Sequence, residues 1–188
     1  MTKESKMSFL TDSKQKFEDL SFQLSNRDNL RRQANGGNSI LFTYTPNEEN
    51  AYIARAKELY MEEAVFIDIS KLLVEFIDQD GWEDFKAYYQ DYKDTPSIVF
   101  NTKSEEPDLF KLIIEAIENA SSKGKIPMLV RTGALYGTGI ENVNIMEHTS
   151  VMNLSQPLVF FYPSKVEGDN LYFLNFKPAS KYRCILIK

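Results

Sequence analysis

The segment most suggestive of chemistry is Thr132–Gly139, whose sequence is TGALYGTG. Its glycine spacing is typical of loops that follow a strand and bring backbone amides close to a pyrophosphate. Tyr89 and Lys93 add the YxxxK spacing of a catalytic tyrosine–lysine pair. In dinucleotide-dependent enzymes that use both features, however, the glycine loop comes first. Here the order is reversed and 49 residues follow Gly139, too few for the rest of a dinucleotide-binding fold. We therefore interpret the segment as a loop leaving a strand, with nucleotide or anion binding as the alternative.

Three further side chains could react or bind ligands, and each also has a structural explanation. His148 follows Glu147 and could act as a general base, but the sequence indicates no nucleophile for it. Asp68 follows an apolar run and could hold a ribose or a metal at the end of a strand, or it could cap a helix. Cys184 lies within an apolar run, where a cysteine packs as a small hydrophobic residue. We expect the structural roles, and therefore predict that the chain is not an enzyme.

Composition excludes several classes of protein. A single cysteine and a single histidine rule out an intramolecular disulfide and every metal site built on pairs of these residues. The 188 residues include 22 Lys and Arg against 27 Asp and Glu, a formal net charge of −5. An acidic chain is a poor candidate for binding nucleic acid. The sequence shows no signal peptide and no apolar stretch of membrane-spanning length, which predicts a cytoplasmic protein with no membrane contact. We predict no cofactor.

Short apolar runs alternate with helix-length amphipathic stretches through most of the chain. We predict strands near 40–45, 64–69, 127–132 and 157–162, followed by closely spaced strands near 171–176 and 182–187. This order favours one α/β domain over residues 9–188, after disordered residues 1–8. The expected fold is a mostly parallel, Rossmann-like sheet with helices on both faces and without an intact nucleotide motif. The last strands could complete the sheet in the antiparallel direction.

The candidate surface lies where the predicted parallel strands end. We expect the loop Thr132–Gly139 and a turn over Tyr162–Lys165 to lie side by side, because both follow the carboxyl ends of strands. Tyr136 and Tyr162 would supply aromatic surface beside Lys165, with His148 supporting the loop. The members of this candidate partner or ligand surface are Thr132, Gly133, Tyr136, Gly139, His148, Tyr162, Pro163, Lys165 and Asp68. The aromatic stretch Trp82–Tyr92 is the alternative interface.

The carboxyl-terminal third resembles the BrxB family, a small component of bacterial BREX phage-exclusion systems. The shared pattern runs from a strand ending in Thr-Gly, through a loop tyrosine and a helical histidine, to a strand ending in Phe-Tyr-Pro and a final Tyr-Arg strand. The matching residues are Thr132, Gly133, Tyr136, His148, Leu154, Phe161, Tyr162, Pro163, Leu171, Phe176, Tyr182 and Arg183. Similar strands earlier in the chain extend the resemblance over residues 9–188. The departures are Gly137 in place of a proline, Ser164 in place of a glycine, and Leu174-Asn175-Phe176 in place of a Leu-Phe-Gly stretch.

The resemblance implies a non-enzymatic component of a phage-defence complex. Members of the family work beside an adenine methyltransferase, an ATPase and PglZ, a protein similar to alkaline phosphatases. Family membership therefore implies a PglZ-like protein as the direct partner, together with other BREX components. The competing hypothesis from the residues alone remains a small nucleotide- or anion-binding domain that uses the loop 132–139.

Overall fold

The computed structural model describes residues 3–102 and 107–188, with side chains from residue 11 onward. Residues 1 and 2 lie outside this range, the first helix is traced from Lys3, and the disorder expected over residues 1–8 stays a prediction. The helices are α1 (Lys3–Ser25), α2 (Arg27–Gln33), α3 (Glu49–Tyr60), α4 (Ile69–Asp78), α5 (Trp82–Tyr92), α6 (Ser97–Phe100), α7 (Leu109–Ser122), α8 (Asn142–Met146) and α9 (Thr149–Met152). The strands are β1 (Ser39–Tyr44), β2 (Ala64–Asp68), β3 (Ile126–Val130), β4 (Leu158–Glu167), β5 (Asn170–Phe173), β6 (Lys177–Ala179) and β7 (Cys184–Ile187).

Five strands form a parallel sheet in the order β2-β3-β4-β1-β7. The first four begin within about one residue of the predicted positions. In a parallel sheet covered on both faces, strands read as continuous apolar runs, and β1, β3 and the first half of β4 are buried along their whole length. The predicted α/β class and mainly parallel sheet are therefore confirmed.

Helices cover both faces of the sheet, and each face has its own core. On one face, α1, α2 and α3 pack residues such as Leu20, Leu30 and Tyr52 against Phe42 and Phe161 of the sheet. On the other face, α4 to α9 pack against the alternate residues of the same strands. Neighbouring residues of β1 belong to different cores, because successive side chains of a strand point to opposite faces. No described helix is long and apolar enough to cross a membrane.

The structure corrects the expected turn over Tyr162–Lys165. Strand β4 continues through these residues to Glu167. It pairs with β1 as far as Pro163 and with the antiparallel β5 from Ser164 onward. Pro163 therefore lies where β4 exchanges one partner for the other, and its carbonyl oxygen accepts a hydrogen bond from the Leu174 amide at 2.8 Å. A proline is tolerated at such a change of partner, since no ladder depends on its missing N–H.

The final strand also differs from the expectation. β5 runs antiparallel to β4, and β6 runs antiparallel to β5, but β7 returns to the main sheet and pairs with β1 in the parallel direction, Ser39 opposite Cys184. The antiparallel direction considered for the last strands therefore holds for the pairs β4–β5 and β5–β6, and it does not hold for β7.

Candidate interaction surface at the carboxyl edge of the sheet

The loop Thr132–Gly139 leaves the carboxyl end of β3 and closes on itself. The amides of Ala134, Tyr136 and Thr138 donate to the carbonyl oxygens of Arg131, Gly133 and Leu135 over 3.0–3.2 Å. The buried Thr132 hydroxyl donates to the Phe161 carbonyl of β4 at 2.6 Å. An amide that already donates within the loop is not available to a phosphate oxygen, so the contacts of this loop fit a structural turn better than a phosphate cradle.

The loop packs against the hairpin that follows β4. A Cβ atom at Gly133 would lie 3.6 Å from Leu174 Cδ2 and 3.9 Å from Pro163 Cγ, in ordinary contact. The loop therefore lies beside the Tyr162–Pro163 segment, as the sequence indicates. Gly139 is more tightly enclosed, since it has a φ of +78° and a Cβ there would come within 2.9 Å of Ser97 Cβ on α6. These contacts fix the loop between β4, the hairpin and α6.

Two exposed aromatic rings meet on this edge. Tyr136 of the loop and Phe176 of the β5–β6 turn lie edge to face, with ring centroids 5.5 Å apart. Both remain largely accessible, at 55% and 58% of their full exposure. The turn that presents Phe176 has positive φ angles at both central residues, Leu174 (51°) and Asn175 (72°), as a type I′ hairpin turn requires. We call Tyr136 and Phe176 the edge aromatic pair.

Of the other predicted members of the surface, some are buried in the core and some are exposed. Tyr162 and Pro163 are buried, and Tyr162 stacks on Phe173 with ring centroids 4.7 Å apart, so Tyr162 does not supply exposed aromatic surface. Burial raises the pKa of the Tyr162 hydroxyl, and nearby Glu141 raises it further. Lys165 is exposed on the β4–β5 hairpin, where its ammonium lies 2.9 Å from Glu167 Oε1 and over the Tyr172 ring.

His148 lies beside α7 and not against the loop. It precedes α9, its Nδ1 atom is 2.8 Å from the Ser150 hydroxyl, and its ring meets Phe110 edge to face. Cys184 is half-buried, and burial raises the pKa of its thiol to about 12, which keeps it protonated near neutral pH. Among residues 11–102 and 107–188, no cluster of three His, Cys, Asp or Glu side chains is placed to hold a metal ion.

Asp68 caps α4. One carboxylate oxygen, Oδ1, accepts hydrogen bonds from the Ser70 amide and hydroxyl at 3.0 and 2.6 Å, and from the Lys71 amide at 3.3 Å. Aspartate commonly caps the start of a helix in this way, because the free amides and the helix dipole favour a negative charge there. The other oxygen, Oδ2, lies 3.7 Å from Arg131 Nε.

Sequence reasoning missed Arg131, which joins the ends of three elements at this edge. Its guanidinium also lies 3.3 Å from Glu49 Oε2 and donates to Asn50 Oδ1 at 2.9 Å, both in the first turn of α3. Arg131 adopts a left-handed backbone conformation with a φ of 54°, which is unfavourable for a non-glycine residue. Its partners are more than 60 positions away along the chain, so no local pattern indicated the cluster. Its position directly after a buried strand was the one available signal.

The alternative interface, α5, also carries accessible rings. Trp82, Tyr88 and Tyr92 are exposed on this helix, and Tyr88 and Tyr92 contact each other with centroids 5.0 Å apart. The other face of α5 places Phe85 in the core, stacked on Tyr89. The helix therefore has the predicted bounds and two aromatic faces, one packed and one accessible.

These features define a mainly parallel α/β domain whose carboxyl edge presents a fixed loop, a hairpin turn and a pair of exposed aromatic rings. A family model described as BREX protein BrxB matches residues 65–187, more than half of the chain. The chain belongs to the BrxB family and is thereby a component of a BREX phage-defence system. The match begins within β2, so β1 and the first three helices precede it. No curated protein and no solved structure matches the chain significantly.

Proposed function

We propose that this chain is a non-enzymatic interaction subunit of a cytoplasmic BREX assembly, and that it binds a PglZ-like protein through the carboxyl edge of its sheet. The observation that carries the proposal is the edge aromatic pair, Tyr136 and Phe176, which remains accessible although both rings are held by their loops. The family resemblance supplies the class of partner. The absence of an indicated nucleophile beside His148 supports a role without catalysis.

Aromatic side chains suit this role for energetic reasons. Tyrosine and phenylalanine bury a large area on binding and lose few rotatable bonds, so they are enriched at the centres of protein interfaces. Part of the side-chain entropy that the two rings would lose on binding is already lost in the free chain, because Tyr136 and Phe176 contact each other before a partner binds. The positive φ angles of Leu174 and Asn175 are maintained at an energetic cost, which is consistent with selection for the position of this turn.

The hydrogen bonding of the loop gives no support to the nucleotide-binding alternative. The amides of Ala134, Tyr136 and Thr138 donate within the loop, and the Ile140 amide donates to the Thr138 hydroxyl at 3.1 Å. A phosphate would have to break these bonds to use any of these four amides as donors. We therefore rank the interaction role first.

The test is calorimetry with a PglZ-like protein, comparing Tyr136→Ala and Phe176→Ala with Phe22→Ala. Phe22 is a matched control, because it is 60% exposed on α1, away from the carboxyl edge. Truncating an aromatic anchor costs about 2 kcal/mol or more, or about thirtyfold in affinity. We expect that loss for Tyr136→Ala and Phe176→Ala and unchanged affinity for Phe22→Ala.

Circular dichroism spectra of all three variants control for folding. Equal affinities for wild type, Tyr136→Ala and Phe176→Ala would exclude the carboxyl edge as the interface. In that case Trp82→Ala should weaken the complex if α5 is the interface. If the wild-type chain binds no PglZ-like protein at micromolar concentrations, the proposed partner is wrong.

A further inference from the structure

A second candidate surface lies along the outer edge of the sheet, at β2. Among the described strands, β2 pairs with β3 alone and ends the main sheet. A groove of about 540 Å³ runs beside it, between α3 on one face of the sheet and α4 on the other. The strand contributes Phe66, Ile67 and Asp68 to the groove, and Phe66 is half-buried.

The backbone of β2 offers free hydrogen-bonding groups to this groove. The Ile126 amide of β3 donates to the Glu63 carbonyl at 2.9 Å, so the backbone groups of Glu63 point toward β3. Residues of a parallel strand alternate the side to which their N–H and C=O groups point. The groups of Val65 and Ile67 therefore also face β3, and those of Phe66 face outward. In the described part of the chain, neither the Phe66 amide nor its carbonyl oxygen has a hydrogen-bond partner.

The walls of the groove are cationic in an otherwise acidic chain. Lys57 of α3 and Lys71 of α4 are exposed on opposite sides of the strand, and Arg131 lies at its end. The Lys57 ammonium lies 5.9 Å from the centre of the Phe66 ring. Neither lysine forms an ion pair with a described residue, whereas Arg131 is already paired with Glu49 and Asp68. Glu75 is the remaining acidic side chain on the walls.

We propose that this edge accepts an extended segment of a partner protein as a sixth strand of the main sheet, and that the segment carries acidic residues at adjacent positions among apolar ones. The Phe66 amide and carbonyl would form hydrogen bonds with the backbone of the segment, which gives affinity. The side chains that flank the groove would determine which sequences bind. Since successive side chains of a strand point to opposite faces, two adjacent acidic residues can place one carboxylate on each of the two lysine-bearing walls. The five residues of β2 match a segment about 17 Å long.

Charge argues against a second copy of this chain as the occupant. Two β2 edges paired across a two-fold axis would bring Lys57 and Lys71 of one copy toward the same lysines of the other. Like charges placed opposite each other across a pair of strands are destabilising. An acidic segment meets the same cations favourably. This proposal does not rest on the edge aromatic pair, and either surface could be in use without the other.

The first test measures fluorescence anisotropy of the full chain with a labelled octapeptide in which pairs of valines alternate with pairs of glutamates. The comparison peptide has lysine in place of glutamate. We expect the acidic peptide to bind, the basic peptide not to bind, and added salt to weaken the acidic complex. The double variant Lys57→Glu with Lys71→Glu should lose at least about tenfold in affinity. Lys86→Glu with Lys123→Glu changes the net charge equally on exposed sites elsewhere and should bind as wild type does.

The second test locates the peptide by amide hydrogen exchange followed by NMR. We expect the acidic peptide to slow exchange at the Phe66 amide, while the Val65 amide, already bonded to β3, changes little. The proposal is overturned if the peptide leaves Phe66 exchange unchanged, or if the control pair of lysine substitutions weakens binding as much as the groove pair. Concentration-dependent dimerisation that protects Phe66 without any peptide would assign the edge to a second copy and also overturn it.

Discussion

Replacing Gly37 by alanine tests how the chain brings β7 beside β1. A Cβ atom at Gly37 would lie 1.9 Å from the Arg183 carbonyl oxygen and 2.7 Å from its carbon. Ordinary contact begins near 3.4 Å, so one of the two segments must move by about 1.5 Å. The obstructing atoms belong to the backbone directly before β7, which no rotamer change can relieve. We expect Gly37→Ala to reduce the free energy of unfolding by about 3 kcal/mol, at the upper end of overpacking costs.

The neighbouring Gly36 provides a matched control. It has a φ of +86° and open space around its Cβ position, so Gly36→Ala introduces conformational strain without a collision. That strain costs about 1 kcal/mol. For a chain of this length the melting temperature should fall by about 6–12 °C for Gly37→Ala and about 2–4 °C for Gly36→Ala. Thermal unfolding followed by circular dichroism measures both. Equal losses would show that the close approach of Gly37 to Arg183 does not constrain the fold.

Three further predictions concern single side chains. Asn175→Gly should raise the free energy of unfolding by about 1 kcal/mol in urea titrations, because glycine suits its φ of 72° and the buried Asn175 Oδ1 has no described partner. The Cys184 thiol, with its pKa raised to about 12, stabilises the folded state fully below pH 9 and loses that contribution between pH 9 and 12. Cys184→Ala should therefore flatten the alkaline fall in stability relative to wild type, and an unchanged slope would contradict the assignment. Arg131→Ala and Arg131→Gly both remove the ion pairs, but only glycine relieves the φ of 54°, so the glycine variant should be more stable by about 1 kcal/mol in the same titrations.

The main sheet could be predicted from the sequence because its strands are buried on both faces. Runs such as Ser39–Tyr44 and Ile126–Val130 lack polar alternation, and helix-length stretches separate them, which together specify a parallel sheet. The helix-capping role expected for Asp68 follows from the same local logic and is what the structure shows. These predictions needed only neighbouring residues.

The hairpin and the Arg131 cluster could not be predicted, because both depend on contacts distant in sequence. Pro163 and Ser164 favour a turn locally, yet β5 offers Ser164 a partner and extends the strand. Tyr162 and Tyr136 are equivalent as residue types, but one stacks in the core on Phe173 and the other is exposed. Only the packed structure distinguishes an aromatic ring that stabilises the fold from one that is free to bind a partner.

Arg131 connects the two proposed surfaces. It precedes the loop that carries Tyr136, it lines the groove beside β2, and its guanidinium holds the first turn of α3 next to the cap of α4. Its ion pairs are half-exposed and therefore contribute little stability, about 1 kcal/mol or less each. The small stability gained from these ion pairs does not explain why Arg131 keeps an unfavourable φ. The position that Arg131 gives to the loop and to the α3 wall of the groove explains it better. The carboxyl edge and the β2 edge are thus adjacent, so both are within reach of a single partner protein.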